Sequence, residues 1–232
     1  MRIFILGTYV FLLSVASGAA GTDYFPLTEG VIYEFEYNTP QLGGTYIKYF
    51  SGTAEIGGET THVLHIVGSD SPFGRLHFWS ETVERDKLFH GAHTIGLGTP
   101  LLFSPPILMI DAPLFIGKTW VVDSRDSDSL AVRFHFEVTA FGEVTVPAGT
   151  FQAFTIRSTL EFPEGNDASK FLARIRGVPS FAGTAQQGFR ISYADGIGQV
   201  LEVFGSSIER LLSIRTIAIE SVTWTRIRML YR

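Results

Sequence analysis

The chain has 232 residues, 45% of them hydrophobic and 13% aromatic, and a formal net charge of −5 at pH 7. Because it contains neither a basic run nor an arginine-rich arm, its charge argues against nucleic acid as a partner. It has no cysteine, which excludes disulfides, thiolate metal sites, a cysteine nucleophile and a lipid anchor attached through cysteine.

The first 20 residues have the features of a secretory signal peptide. Arg2 supplies a positive charge, residues 3–15 are almost all apolar, and small residues follow at 16–20. The apolar run is shorter than the ~20 residues that a spanning helix needs. We therefore predict cleavage near Ala20 and an exported protein, periplasmic or extracellular. Residues 21–232 are then long enough to bury the core of a single β-rich domain.

Alternating apolar and polar residues predict β-strands along most of the mature chain. Turn signals separate them, notably Pro147 to Gly149 and Asp195-Gly196. The fold class that follows is all-β, as a single antiparallel curved sheet or a partly open barrel. One short helix is predicted near 168–175. The predicted strands are 31–37, 45–56, 60–67, 75–84, 86–90, 119–125, 130–138, 142–147, 152–162, 187–194, 197–204 and 207–218.

The segment at 99–120 interrupts this pattern, because it combines four prolines with many large apolar residues. Prolines argue against a continuous helix or a central strand. We predict an irregular segment that crosses the open side of the sheet, either as part of the core or as a lid over an apolar cavity. For the lid, the candidate ligand-binding residues are Phe103, Ile107, Met109 and Phe115.

Four short stretches resemble a family of exported bacterial proteins of unknown function, whose β-rich fold is reminiscent of lipoprotein carriers of the LolA/LolB type. The family resemblance implies a β-rich fold and a place in the cell envelope. Many relatives carry a lipid-anchoring cysteine that this chain lacks. The stretches are Tyr24 to Gly30, Ser104 to Trp120, Val146 to Phe151 and Tyr193 to Val200.

Histidines are the candidates for a metal site. His62 and His65 are three residues apart, so on a strand they point to opposite faces. His90 and His93 lie at a strand end, but no acidic or cysteine partner follows at a fixed spacing. We therefore predict no metal site and no cofactor.

Catalytic signals are equally weak. The chain has no Gly-x-Ser-x-Gly nucleophile motif. His77 and Glu81 share a strand face with Trp79, an arrangement that lines a cleft less often than it forms a solvent-facing surface. No catalytic residue is predicted.

These observations rank three functions. First is a non-enzymatic envelope protein that binds an apolar small molecule or lipid. A structural or protein-interaction role without a ligand is the alternative, and a hydrolase with an unrecognised site comes third. The sequence does not indicate an oligomeric state.

Overall fold

The structure is a computed structural model that describes residues 22–40, 42–68, 74–95, 98–163 and 188–216. It contains twelve β-strands and, within these residues, no helix long and apolar enough to cross a membrane. The signal peptide and the predicted short helix lie outside the described residues. The strands are β1 Val31–Asn38, β2 Gly43–Ile56, β3 Glu59–Gly68, β4 Arg75–Glu81, β5 Lys87–Thr94, β6 Leu101–Ile110, β7 Thr119–Asp126, β8 Ala131–Val146, β9 Gly149–Glu161, β10 Phe189–Ala194, β11 Gly198–Phe204 and β12 Ser207–Thr216.

Every strand pairs antiparallel with its neighbours in the chain, and β1 pairs with β12. The sheet is thus a closed barrel, and among the described residues it has no free edge. The all-β antiparallel prediction is confirmed, with full closure in place of a partly open sheet. Closure satisfies strand edges that would otherwise be exposed to pairing with other chains.

Period-two alternation separates the inside of the barrel from its outer surface. In β7 and the first half of β8, every second residue is buried. The buried side chains are mostly aromatic and aliphatic, with Phe35, Phe134 and Phe189 at most 1% exposed. Exposed ion pairs lie on the outer surface, as between Arg133 Nε and Asp123 Oδ1 at 2.7 Å.

The prediction that prolines keep residues 99–120 out of the sheet is wrong, because residues 101–110 form β6 between β5 and β7. The prolines are tolerated because they lie where the ladders are interrupted. Between β5 and β6, the register pairs Leu102 and then Ile107 of β6, and skips the residues between them. Between β6 and β7, only Phe103 and Ser104 of β6 are paired. Pro105 and Pro106 therefore lack N–H groups where no ladder bond is made.

Side chains of β7 fill the gap in the β6–β7 ladder. Trp120 Nε1 donates to the carbonyl of Leu108 at 2.8 Å, and Ser124 Oγ donates to the carbonyl of Pro105 at 2.6 Å. These bonds satisfy β6 carbonyls that a regular ladder would have paired.

β8 and β9 form a long hairpin that the sequence analysis had divided. The predicted strands at 130–138 and 142–147 are one strand, with a register shift between Val138 and Ala140. The turn between β8 and β9 reaches across to β12, where the amide of Ala148 donates to the carbonyl of Leu211 at 3.1 Å.

Candidate functional site

The four predicted ligand-binding residues divide between the interior and the surface. Phe103, Ile107 and Met109 alternate along β6 and belong to the buried core. Phe115 follows β6 and is 57% exposed. The structure thus brings three of the four residues inside the barrel and separates the fourth from them.

Residues 22–30, which we call the N-terminal segment, are fixed to the barrel by hydrogen bonds at both ends. The amide of Gly196 donates to the carbonyl of Asp23 at 2.8 Å, and the amide of Asp23 donates to Asp195 Oδ1 at 3.0 Å. Near the other end, the amide of Gly52 donates to Glu29 Oε1 at 2.7 Å.

Between these anchors, Phe25 enters the interior. Its ring lies 4.7 Å from Trp79, 5.8 Å from Phe50 and 6.0 Å from Tyr193, measured between centroids. These contacts join the N-terminal segment to three separate strands of the barrel wall.

An ion cluster ties the N-terminal segment to β4 and β5. The ammonium of Lys87, whose side chain is fully buried, lies 2.9 Å from Asp23 Oδ1 and 2.8 Å from Glu81 Oε2. Arg85 lies 3.5 Å from each of the same two carboxylates. Glu81, considered above as a catalytic candidate, is therefore engaged in this cluster.

Two small cavities lie on either side of Phe25. The larger, which we call the inner cavity, has a volume of about 30 Å³, and the second has about 20 Å³. Since a water molecule needs roughly 10–15 Å³ of such space, the two cavities have room for at most about three and two waters, and for no larger molecule. The inner cavity is lined by Phe25, Lys48, Leu64, His77, Trp79, Phe89, Met109, Ile191, Tyr193 and Gln199.

Part of the barrel interior is polar, and Lys48 is at its centre. Its ammonium lies 2.8 Å from Gln199 Oε1 and 3.9 Å from Glu209 Oε2. Tyr46 donates its hydroxyl proton to Glu209 through a short hydrogen bond, and Gln199 Nε2 donates to Glu202 Oε2 at 2.9 Å. All five side chains are at least nine-tenths buried. We call this set the polar cluster.

Burial and the neighbouring charges set the protonation of groups in and beside the polar cluster. Burial, and then the Glu209 carboxylate, raise the pKa of Tyr46 well above its usual value. Burial, and then the charges of Lys48 and Arg75, lower the pKa of His77 to about 3. His77 is therefore a neutral imidazole at neutral pH.

The aromatic rings of β1 and β2 also stabilise the buried ammonium. Lys48 Nζ lies 4.6 Å from the centroid of Phe35 and 5.3 Å from that of Tyr46. Cation–π contacts of this kind are worth about 2 kcal/mol or more when the cation is desolvated.

Two buried nitrogens in the wall of the inner cavity have no hydrogen-bond partner among the described residues: His77 Nε2 and Trp79 Nε1. Both side chains are on β4 and are 6% exposed. Buried polar atoms without a partner are rare, and they point to a water or ligand in the adjoining space.

A serine, a histidine and a carboxylate do meet near the β4–β5 hairpin. His90 Nε2 is 2.7 Å from Ser80 Oγ and 3.7 Å from Glu59 Oε2. A catalytic triad needs the carboxylate on the other ring nitrogen, where it orients the base. Here both partners face the same nitrogen, so this group lacks the geometry of a triad.

The histidines considered as metal ligands are separated as strand geometry requires. His65 stacks on Tyr49 at 4.9 Å, while His62 pairs with Trp79 in the β3–β4 register. The described residues contain no group of three histidine, aspartate or glutamate side chains placed to hold a metal ion.

Sequence reasoning missed the polar cluster, although one signal of it was present. Lys48 alternates with Tyr46 and Phe50, so it falls on the apolar face of β2. A charged residue in the middle of such a face predicts either an outward-facing strand or a buried charge. Only the pairing partners of β2 distinguish the two.

Comparisons with known proteins give a fold likeness alone. No family model and no curated protein matches the sequence. Two solved structures are similar to it. One, from Bacteroides fragilis, is named as a proposed exported protein with a YmcC-like fold. It is 12% identical to this chain with a TM-score of 0.43, and the match covers 84% of this chain and 100% of that chain. The other, from Parabacteroides distasonis, is named as a proposed lipoprotein. It is 12% identical to this chain with a TM-score of 0.42, and the match covers 84% of this chain and 99% of that chain. The relation to LolA/LolB-type carriers stays a prediction.

Proposed function

We propose that this protein is an exported binding protein that takes a small ligand with an apolar part into the barrel interior. The observation that carries the proposal is that the wall of the inner cavity has a polar part and an apolar part. Lys48, His77 and Gln199 line one part of it, and apolar side chains including Phe89 and Met109 line the rest.

The polar part of this wall is costly for a barrel that needs only to be stable. Taking an ammonium and a carboxylate out of water costs several kcal/mol for each ion, and apolar side chains of similar volume often stabilise a core equally well or better. Lys48 and Glu209 are such a pair, with side chains about 10% exposed. A binding role would explain why these buried charged groups are present, whereas packing alone does not.

The N-terminal segment controls access to this interior. The two cavities are too small for a ligand while Phe25 is in place, and Phe25 lines both of them. Withdrawal of its ring would join them into one space that is large enough for a short acyl chain. In this proposal the ligand therefore replaces Phe25, and the anchors at Asp23 and Glu29 set the cost of that exchange.

The proposed location is the periplasm or the extracellular space. It rests on the signal-peptide features of residues 1–20. The names of the two similar structures agree with export, but the proposal does not depend on them. The mature N-terminus, measured by mass spectrometry of exported protein, tests it.

Uptake of an uncharged, environment-sensitive apolar dye tests the binding function. We expect the wild-type protein to take up the dye and Phe25→Ala to bind it at least ten times more tightly, because the ring no longer competes for the space. Phe115→Ala is the matched control, since it removes an exposed ring and should leave uptake unchanged. A failure of the wild-type and Phe25→Ala proteins to take up the dye would remove the binding proposal.

A second candidate function, protein interaction, has one specific observation in its favour. Phe115 and Ile116, just before β7, and Val121 within it are each more than half exposed. Val121 also lines a groove of about 260 Å³ on the outer face of β7, β8 and β9, beside His135, Glu137 and Arg157. In that case Ile116→Ser should weaken association with a partner and leave dye uptake unchanged.

A further inference from the structure

The hydrogen-bond donors in the wall of the inner cavity indicate which kind of ligand group would satisfy them. Trp79 Nε1 can only donate a hydrogen bond, and it has no acceptor among the described residues. Lys48 has three N–H donors, of which one is directed to Gln199. The missing group is therefore a hydrogen-bond acceptor.

His77 is compatible with such a group in either tautomer. Burial keeps its ring neutral at neutral pH, with a pKa of about 3. A neutral imidazole has one nitrogen that donates and one that accepts, so Nε2 can donate to the ligand or accept from it. The side chain adds a polar contact to the site without adding charge.

The charges around the cavity indicate whether the acceptor is neutral or anionic. Lys48 and Arg75 supply two positive charges, and Glu202 and Glu209 supply two negative ones. Both carboxylates affect the pKa of Tyr46 beside Lys48, and both cations affect that of His77. Among the described residues these four charges balance, so an added anion would find no uncompensated cation among them, which is unfavourable in a buried site.

We propose that the inner cavity binds a neutral oxygen acceptor, such as the carbonyl of an ester or amide, in preference to a carboxylate. Trp79 and Lys48 donate to this oxygen, and Phe89 and Met109 contact the adjoining carbons. The inference rests on the proposed binding function and names the ligand class for the same site.

Competition against the bound dye tests this specificity with three short-chain competitors of equal length: an acyl methyl ester, the free acid at pH 7 and the alkane. We expect the ester to displace the dye at a concentration at least ten times lower than either of the others. The alkane measures the contribution of the apolar wall alone.

Substitution of Trp79 tests whether its indole N–H donates to the ligand oxygen. Trp79→Phe retains an aromatic ring but removes the N–H, so we expect the tenfold advantage of the ester over the alkane to disappear. Trp120→Phe is the matched control, because Trp120 Nε1 donates to the Leu108 carbonyl and its side chain does not line the cavity. That variant should keep the ester advantage of the wild-type protein.

The outcomes separate this inference from the proposed function. Absence of dye uptake by wild-type and Phe25→Ala proteins would refute the binding function itself. Dye uptake with the free acid equal to or better than the ester would refute only the preference for a neutral acceptor. An ester advantage that survives Trp79→Phe would refute the role of the indole N–H.

Discussion

At the scale of single residues, the barrel interior is unusual in how it combines charge with aromatic packing. Lys48 and Lys87 both place ammonium groups away from water, but their surroundings differ. Lys87 is held between two carboxylates at 2.9 and 2.8 Å. Lys48 has an amide oxygen at 2.8 Å and its carboxylate only at 3.9 Å. Lys48 is thus the less completely paired of the two, and it is the one that lines the cavity.

The buried imidazole of His77 predicts a pH dependence of stability. Its pKa falls from 6.5 in the unfolded chain to about 3 in the folded protein. The unfolded state therefore binds a proton between these values and the folded state does not, so stability is lost as the pH falls below 6.5. One such proton contributes at most about 1.4 kcal/mol for each pH unit.

Denaturant unfolding between pH 7 and pH 4 measures this contribution. We expect His77→Gln to lose less stability across that range than the wild-type protein, because glutamine does not titrate. Identical slopes in the wild-type and His77→Gln proteins would show that His77 is not held neutral in the interior.

At the scale of secondary-structure elements, β6 is the part of the barrel that differs most from expectation. Its inward side chains are core residues, while its prolines fall in gaps of both ladders. The buried side chains of β6 therefore help to hold the strand where its two ladders are interrupted.

A pair of phenylalanine substitutions tests the burial of the β6 side chains. Phe103 packs against Phe89 and Phe134 inside the barrel, with ring centroids 5.9 and 6.2 Å apart. Phe103→Ala should lower the free energy of unfolding by about 3–5 kcal/mol, which is typical of a buried aromatic residue. Phe115→Ala, at an exposed position, should change it by less than about 0.5 kcal/mol. Equal effects in thermal or denaturant unfolding would contradict the placement of β6.

The close approach of β5 and β6 gives a second test at this scale. A Cβ atom on Gly91 would lie 2.2 Å from the carbonyl oxygen of Leu101, and Gly91 has a φ of 149°. Gly91→Ala should therefore destabilise the fold by about 1–3 kcal/mol, the usual cost of overpacking. Gly142→Ala in β8, where nothing lies within 4 Å of the added atom, is the control. Equal stability of the two variants would argue against this strand pairing.

The elements that the sequence predicts well are those whose alternation is complete. In β7, exposed and buried side chains alternate without interruption, so the period-two pattern of the sequence alone identifies the strand. β6 could not be predicted in this way, because its prolines are compatible with a strand only where the hydrogen-bond ladders to the neighbouring strands shift register. That condition depends on β5 and β7, and it cannot be read from β6 itself.

At the scale of the whole molecule, closure of the barrel creates the candidate site. Lys48 and Gln199 are 151 positions apart in the chain, and they meet because β1 and β12 pair. Phe25 likewise contacts Tyr193 only after the N-terminal segment crosses to the β10–β11 turn. Such contacts have no local sequence signal. Of the four ligand-binding candidates predicted from the sequence, Met109 lines the inner cavity and the other three do not.

We propose that ligand entry requires withdrawal of the N-terminal segment. Because the chain has no cysteine, an Asp23→Cys, Asp195→Cys double variant can be locked by one disulfide without competing thiols. The two residues are in contact, because the Asp23 amide donates to the Asp195 side chain at 3.0 Å. Reduction of the same protein releases the lock.

The decisive measurement is apolar dye uptake by this variant before and after reduction, with disulfide formation confirmed by mass. We predict that the oxidised protein takes up at least ten times less dye than the reduced protein, and that reoxidation lowers uptake again. Equal uptake in the two states would contradict the claim, because a ligand could then enter the barrel with Phe25 still in place.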